Sequence, residues 1–192
     1  MGEKQKRGMR RRELRRGQMQ ADLSRYGRRI LDSEEMRQAF KQTHHTFSTV
    51  GEHTMRVAMT SLAICYALKK LHIKTDIPAV VTGSLCHDLG ILGRQEKFSS
   101  AREMSREHPK ESVAVARELV CDIPEKTEEI IERHMWPAGQ SKAPNSIEGV
   151  IVSVADKYCA VKDVIKGSEV KETGVKYYAR DKKEKIKERI IK

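Results

Sequence analysis

Asp88 and Asp156 restrict the fold of this chain more than any other residues. Asp88 ends the run Gly83-Ser84-Leu85-Cys86-His87-Asp88, and Asp156 ends Ile151-Val152-Ser153-Val154-Ala155-Asp156. Both runs are apolar enough to belong to a core. A carboxylate carried there without a partner costs several kcal/mol, so each must meet a cation or a donor inside the fold. His53, His87, His108 and His134 could join them in one buried cage.

The apolar periodicity is helical throughout. It predicts a helix over about 22–41, with Ile30, Leu31, Met36, Ala39 and Phe40 inward. A second runs over about 50–71, with Val57, Ala58, Ile64, Cys65 and Leu68 inward, after a polar link at 43–49. Asp76 is a natural N-cap and Pro78 a first-turn proline, so a central helix spans 77–89 until Gly90 stops it. Residues 91–107 read as a loop. His108-Pro109 opens a helix to about Cys121, and Pro124 opens another to about His134, which the Trp136-Pro137 pair ends. Asn145 caps a long helix to about Lys166, with Val150, Ile151, Val154, Cys159, Val161 and Ile165 inward. The expectation is an all-α protein, a single compact bundle of about six to eight helices. Residues 1–20 form a basic, flexible tail, 21–168 the domain, and 169–192 a charged helix packed on or extending it.

The chain has 192 residues, enough for one domain with a proper core. No apolar run approaches the ~20 residues that span a bilayer. No apolar segment follows the basic N-terminus, so a secretory leader is not expected and the protein reads as cytoplasmic. Cys65, Cys86, Cys121 and Cys159 make no Cys-x-x-Cys pair and read as buried, reduced thiols. Cys86 adjoins His87 but is not expected to be a nucleophile.

The net charge is +11, but it is concentrated at the ends. Residues 1–30 hold eleven Lys/Arg against three Asp/Glu, and residues 169–192 hold nine against five. The middle is close to neutral. A basic arm can bind RNA, DNA or anionic lipid through counterion release. No aromatics interleave the basic residues of the 1–20 tail, so a solvated arm with at most weak nucleic-acid contact is the expectation.

Imidazole nitrogen and carboxylate oxygen together suit iron, manganese or zinc. Between His53, His87-Asp88, His108, His134 and Asp156 the gaps are 34, 20, 26 and 22 residues, each about a helix plus a loop. Successive helices of a bundle can bring such side chains to one centre. His44, His45 and His72 read as ordinary packed or surface histidines.

The ordered set resembles the HD-domain metal-dependent phosphohydrolase superfamily, over about residues 45–165. The resemblance is carried by Glu52-His53-Thr54-Met55-Arg56-Val57-Ala58, Thr82-Gly83-Ser84-Leu85-Cys86-His87-Asp88-Leu89-Gly90, Glu107-His108-Pro109, Ile131-Glu132-Arg133-His134-Met135-Trp136-Pro137 and Val154-Ala155-Asp156-Lys157-Tyr158. It implies that His53, His87, Asp88 and Asp156 hold one metal and that Asp88, His108 and His134 hold a second, with Asp88 bridging. Members with one metal tend to lack the two middle histidines, so a two-metal site is expected. No Gly-Tyr-Pro motif occurs, which separates the chain from the HD-GYP cyclic-dinucleotide phosphodiesterases.

The expected activity is hydrolysis of a phosphomonoester or phosphodiester, of a nucleotide or other small phosphorylated metabolite. A water shared by two divalent ions would be the nucleophile, with Asp88 and His87 at the catalytic centre. Arg56, one turn after His53, together with Arg94, Lys97 and Lys157, are candidate phosphate contacts. The rival readings are a mixed-valent di-iron oxygenase on the same ligands, and a nucleotide- or RNA-binding module whose metal site is not catalytic. The sequence leaves the oligomeric state open.

Overall fold

A computed structural model describes residues 2–45, 48–138 and 141–165; in this range the side chains of Lys4, His45, Val164 and Ile165 are left aside. The described chain is an all-α bundle of eight helices with one very small sheet. The expected C-terminal helix over 169–191 lies outside the described residues, as does the expected inward side chain of Ile165.

Helix α1 spans Glu3–Leu31. Residues 3–20, read as a tail for want of apolar periodicity, are therefore part of a helix. Arg, Lys, Gln, Glu and Met are good helix formers whether or not a face is buried. The same helix ends about ten residues sooner than the periodicity implied, because Ser33 accepts a hydrogen bond from the Met36 amide and starts α2 (Glu34–Ala39). The polar link after it contains an antiparallel hairpin, β1 (Thr43–His45) and β2 (Ser48–Thr49), which the sequence did not signal.

Helix α3 (Val50–Leu68) starts from a reciprocal cap: Thr49 accepts from the Glu52 amide, and the Glu52 carboxylate accepts from the Thr49 amide. Helix α4 (Ile77–Cys86) starts at the expected Asp76 cap, which accepts from the Ala79 amide. These two helices form the centre of the bundle. Ile30 and Leu31 of α1 and Met36 and Ala39 of α2 join Ala58, Leu62, Val81, Leu85 and Leu89 in the larger apolar cluster. A second cluster joins Val57, Cys65, Val80 and Ile130 to Ile151, Val152, Ala155 and Cys159.

Gly90 does not end α4; the helix stops at Cys86, and Gly90 lies in a 3-10 turn over Leu89–Ile91. Its missing side chain serves a close crossing instead. A Cβ there would stand 2.4 Å from both the His108 carbonyl oxygen and the Ser112 amide nitrogen. The expected 91–107 loop is mostly helical, with a short α5 (Arg94–Lys97) and then α6 (Ala101–Leu119). Ser100 caps α6 by accepting from the Glu103 amide, so His108-Pro109 sits mid-helix rather than opening one.

Helix α7 spans Glu125–Arg133 and α8 spans Ile147–Ile165. Ser146, not Asn145, accepts from the Gly149 amide at the start of α8. Ile151 and Cys159 are buried as expected, but Val150, Val154 and Val161 are exposed. This helix is apolar on more than one face. Packing against α3, α4 and α7 selects the face that carries Ile151, Val152, Ala155 and Cys159. No described helix is long and apolar enough to cross a membrane.

Of the four cysteines, Cys65, Cys86 and Cys159 are buried and free, whereas Cys121 is exposed where the chain leaves α6. Burial pushes the Cys86 thiol up to about 12, which makes it inert as a nucleophile.

Candidate metal centre

Helix ends bring most of the centre together. His53 is in the first turns of α3, His87 follows the last residue of α4 with Asp88 beside it, and His134 follows the last residue of α7. His108 and Asp156 come from the middles of α6 and α8. The close approach at Gly90 presses the turn after Asp88 onto α6 at His108 itself, and the Gly90 amide donates to Ser112 Oγ at 2.9 Å. All six residues are buried; His53, His87 and His134 have no exposed surface.

The two oxygens of Asp88 face different neighbours. Oδ1 lies 3.3 Å from His108 Nε2 and 3.5 Å from His134 Nε2. Oδ2 lies 3.3 Å from His87 Nε2 and 3.9 Å from His53 Nε2. Asp156 Oδ1 closes the second set, 2.9 Å from His53 Nε2 and 3.8 Å from His87 Nε2. An ion with bonds of 2.0–2.2 Å would hold neighbouring donors roughly 2.8–3.6 Å apart, as four of these six separations are.

The tautomers test whether these residues suit a cation. His87, His108 and His134 place Nδ1 at 2.8, 2.8 and 2.7 Å from the carbonyls of Ser84, Met104 and Ile131. A carbonyl only accepts, so each Nδ1 carries the proton and donates. In a neutral ring the lone pair is then on Nε2. Burial pulls His134 down to about 4, so its ring is neutral. His108 and His134 nevertheless turn their Nε2 atoms to within 3.1 Å of each other. His87 Nε2 is buried without a hydrogen-bond partner. Fixing the tautomer through the other ring nitrogen is the usual arrangement around metal-bound histidine. The residues therefore fit a divalent transition metal. His53, His87 and Asp156 form one group with converging donor atoms, and Asp88, His108 and His134 form another.

Burial works against a charged Asp88, yet the imidazoles of His87, His108 and His134 hold its carboxyl well below the usual carboxylate range. Burial likewise opposes ionised Asp156, which His53 and His87 outweigh. Burial also pulls His87 down, and the Asp88 and Asp156 charges push it up to about 10. A buried carboxylate pair supported by imidazoles is what the sequence required of Asp88 and Asp156.

The four candidate phosphate contacts are dispersed. Lys157 Nζ donates to Asp156 Oδ2 at 2.9 Å and to the His134 carbonyl, at the edge of the centre. Arg56 donates to Asp163 Oδ2, one residue removed from the cluster. Arg94 donates to the His44 carbonyl at 3.2 Å. Lys97 is exposed on α5.

Sequence reasoning missed two residues. Asp163 is buried and lies 3.4 Å from His53 Nδ1. Its nearest signal is a second carboxylate two helical turns after Asp156, easily read as surface charge beside Lys162. His44, read as an ordinary histidine, has its Nε2 3.5 Å from Asp88 Oδ2. His72 is exposed, as expected.

The family model of the HD domain matches residues 50–161. No curated protein and no solved structure matches the chain.

Proposed function

The chain belongs to the HD-domain family, and on that premise we propose that it hydrolyses phosphate esters of a nucleotide or another small phosphorylated metabolite. The observation that carries this reading is the divided Asp88 carboxylate, with one oxygen facing His108 and His134 and the other facing His53 and His87. Such a division supports the reading that the carboxylate would be shared between two cations. Two bound divalent ions would bring the pKa of a water toward neutrality and offset charge on phosphoryl oxygens. His53, His87, Asp88 and Asp156 would hold one ion, and Asp88, His108 and His134 the other.

The protein's own groups supply the remainder. The carbonyls of Ser84, Met104 and Ile131 hold three imidazoles with Nε2 toward the centre. Lys157 ties α7 to α8 and partly neutralises Asp156. Among the four candidate cations, it is the one that touches a carboxylate of the centre. We assign it the first contact with a substrate phosphoryl group, with Arg94 and Lys97 further out.

The test combines elemental analysis of the purified protein with a screen of phosphorylated metabolites, nucleotides first, in manganese or iron. Metal in the wild type and inorganic phosphate or a phosphomonoester among the products are expected. Asp88→Ala should lose metal and turnover together. Full turnover by metal-depleted Asp88→Ala protein, or oxygen uptake that tracks substrate loss without phosphate-ester cleavage, would overturn the proposal.

A further inference from the structure

We infer that His44 is a seventh ligand of this centre, supplying its Nε2 to the ion that His53 and Asp88 Oδ2 would hold. The inference rests on the two-ion reading and adds a residue to it.

His44 Nε2 lies 3.5 Å from Asp88 Oδ2, closer to that oxygen than His53 Nε2 at 3.9 Å. His44, His53 and Asp88 each offer one donor atom, and the three lie within 4.8 Å of one another. The His44 and His53 rings stand 4.6 Å apart between centroids and are tilted by 40°, so they converge on Asp88 rather than stack. A separation of 3.5 Å is long for an N–H···O hydrogen bond, which centres near 2.9–3.0 Å. It falls within the roughly 3.0–3.6 Å that would separate neighbouring donors, 90–120° apart, on an ion with bonds near 2.1 Å.

The backbone holds His44 in place from several directions. Arg94 donates to the His44 carbonyl at 3.2 Å. Gln42, two residues earlier, donates to the Ile91 carbonyl at 2.8 Å and accepts from the Gly93 amide at 2.8 Å. The strand is thus clipped to the turn that follows His87-Asp88. Its partner strand is held as well, because Ser48 Oγ donates to Asp163 Oδ2 at 3.3 Å, the same carboxylate oxygen that faces His53 Nδ1. Arg94 accordingly serves the centre by fixing this hairpin.

The consequence is an asymmetric pair. The ion near His53 would draw on His44, His53, His87, Asp88 and Asp156, and the other on Asp88, His108 and His134 alone. The second ion therefore has fewer protein donors and should be the first to leave during chelation.

Cobalt(II) loading tests this through the metal itself. Wild type, His44→Ala and His44→Gln are compared by elemental stoichiometry, visible cobalt absorption and competition against a chelator, with circular dichroism as the check on folding. Both variants should alter the cobalt bands and weaken one of the two ions. Loss of an outer-shell partner costs roughly 10–100-fold in affinity, so loss of a direct ligand should cost at least that. His44→Gln fills the space of the imidazole and serves should the alanine variant misfold. Wild-type bands and affinities in a folded variant would overturn the assignment, and a raised KM alone would place His44 against substrate instead. Wild-type protein that binds cobalt, loses one ion's affinity in the variants and cleaves no phosphate ester would overturn the phosphohydrolase reading while His44 stands as a ligand.

Discussion

His53 stands between two carboxylates, with Nε2 2.9 Å from Asp156 Oδ1 and Nδ1 3.4 Å from Asp163 Oδ2. Asp163 can only accept, so Nδ1 donates to it and the opposite nitrogen is aimed at the centre. Arg56 donates to the same Asp163 oxygen. Burial opposes the charge on Asp163, but His53 and Arg56 hold its carboxyl below the usual range. The chain thus has a carboxylate that orients a histidine of the candidate centre and an arginine that orients the carboxylate.

Asp163→Asn should therefore loosen metal without unfolding the bundle. Removing such an outer partner costs roughly 10–100-fold in affinity. Chelator competition measures it, and Arg56→Met should give a smaller loss in the same direction. Unaltered affinity in Asp163→Asn would remove Asp163 from the centre.

Gly90→Ala should strain the crossing between the turn after Asp88 and α6. The added carbon meets backbone at 2.4 Å, which cannot rotate away. Overpacking of this kind costs about 1–3 kcal/mol, readable by urea denaturation. Because the obstructed atom is the His108 carbonyl oxygen, the ion on the His108 and His134 side should weaken more than the other.

Metal and protons should compete at His87. Without metal, burial lowers its pKa, but Asp88 and Asp156 lift it to about 10, above the ordinary imidazole value of 6.5. A raised folded-state pKa stabilises below the unfolded value, and the contribution is lost as pH rises from about 6.5 toward about 10. Metal-free protein should lose that increment across this window. Metal binding must displace the same proton, so apparent affinity should rise about tenfold per pH unit over the same range. Calorimetry in buffers of different ionisation enthalpy counts the released protons.

Tyr66 joins α3 to α1 by donating to Asp22. Burial, then that carboxylate, push its phenol up to about 12 from the ordinary phenol value of 10. The contact should support the fold below pH 10 and fail as pH climbs from 10 to about 12. Absorbance titration near the phenolate band should show a late-ionising component that is lost in Tyr66→Phe and ionises earlier in Asp22→Asn.

Asp88 and Asp156 were legible because a carboxylate in an apolar run needs a partner wherever the run is packed. The Asp76 cap was legible because it acts on an amide three residues away. The start of α6 could have been found, since Ser100 followed by Glu103 is a helix-opening pattern; Pro109 drew attention to the wrong residue. His44 and Asp163 gave little sign. One lies in a short polar hairpin, the other among charges near the end of α8.

The sequence alone determined the helical class, the starts of α3, α4, α7 and α8, the order of six cation-seeking residues and the family those residues resemble. Each depends on short-range periodicity, on capping, or on the price of burying charge. Tertiary structure decided which face of α8 is inward, which oxygen of Asp88 meets which histidines, and that His44 and Asp163 join the centre. Those relationships are distances between atoms on separate elements. They arise from the packing of other residues, Gly90 against His108 among them, and no local pattern along the chain encodes them.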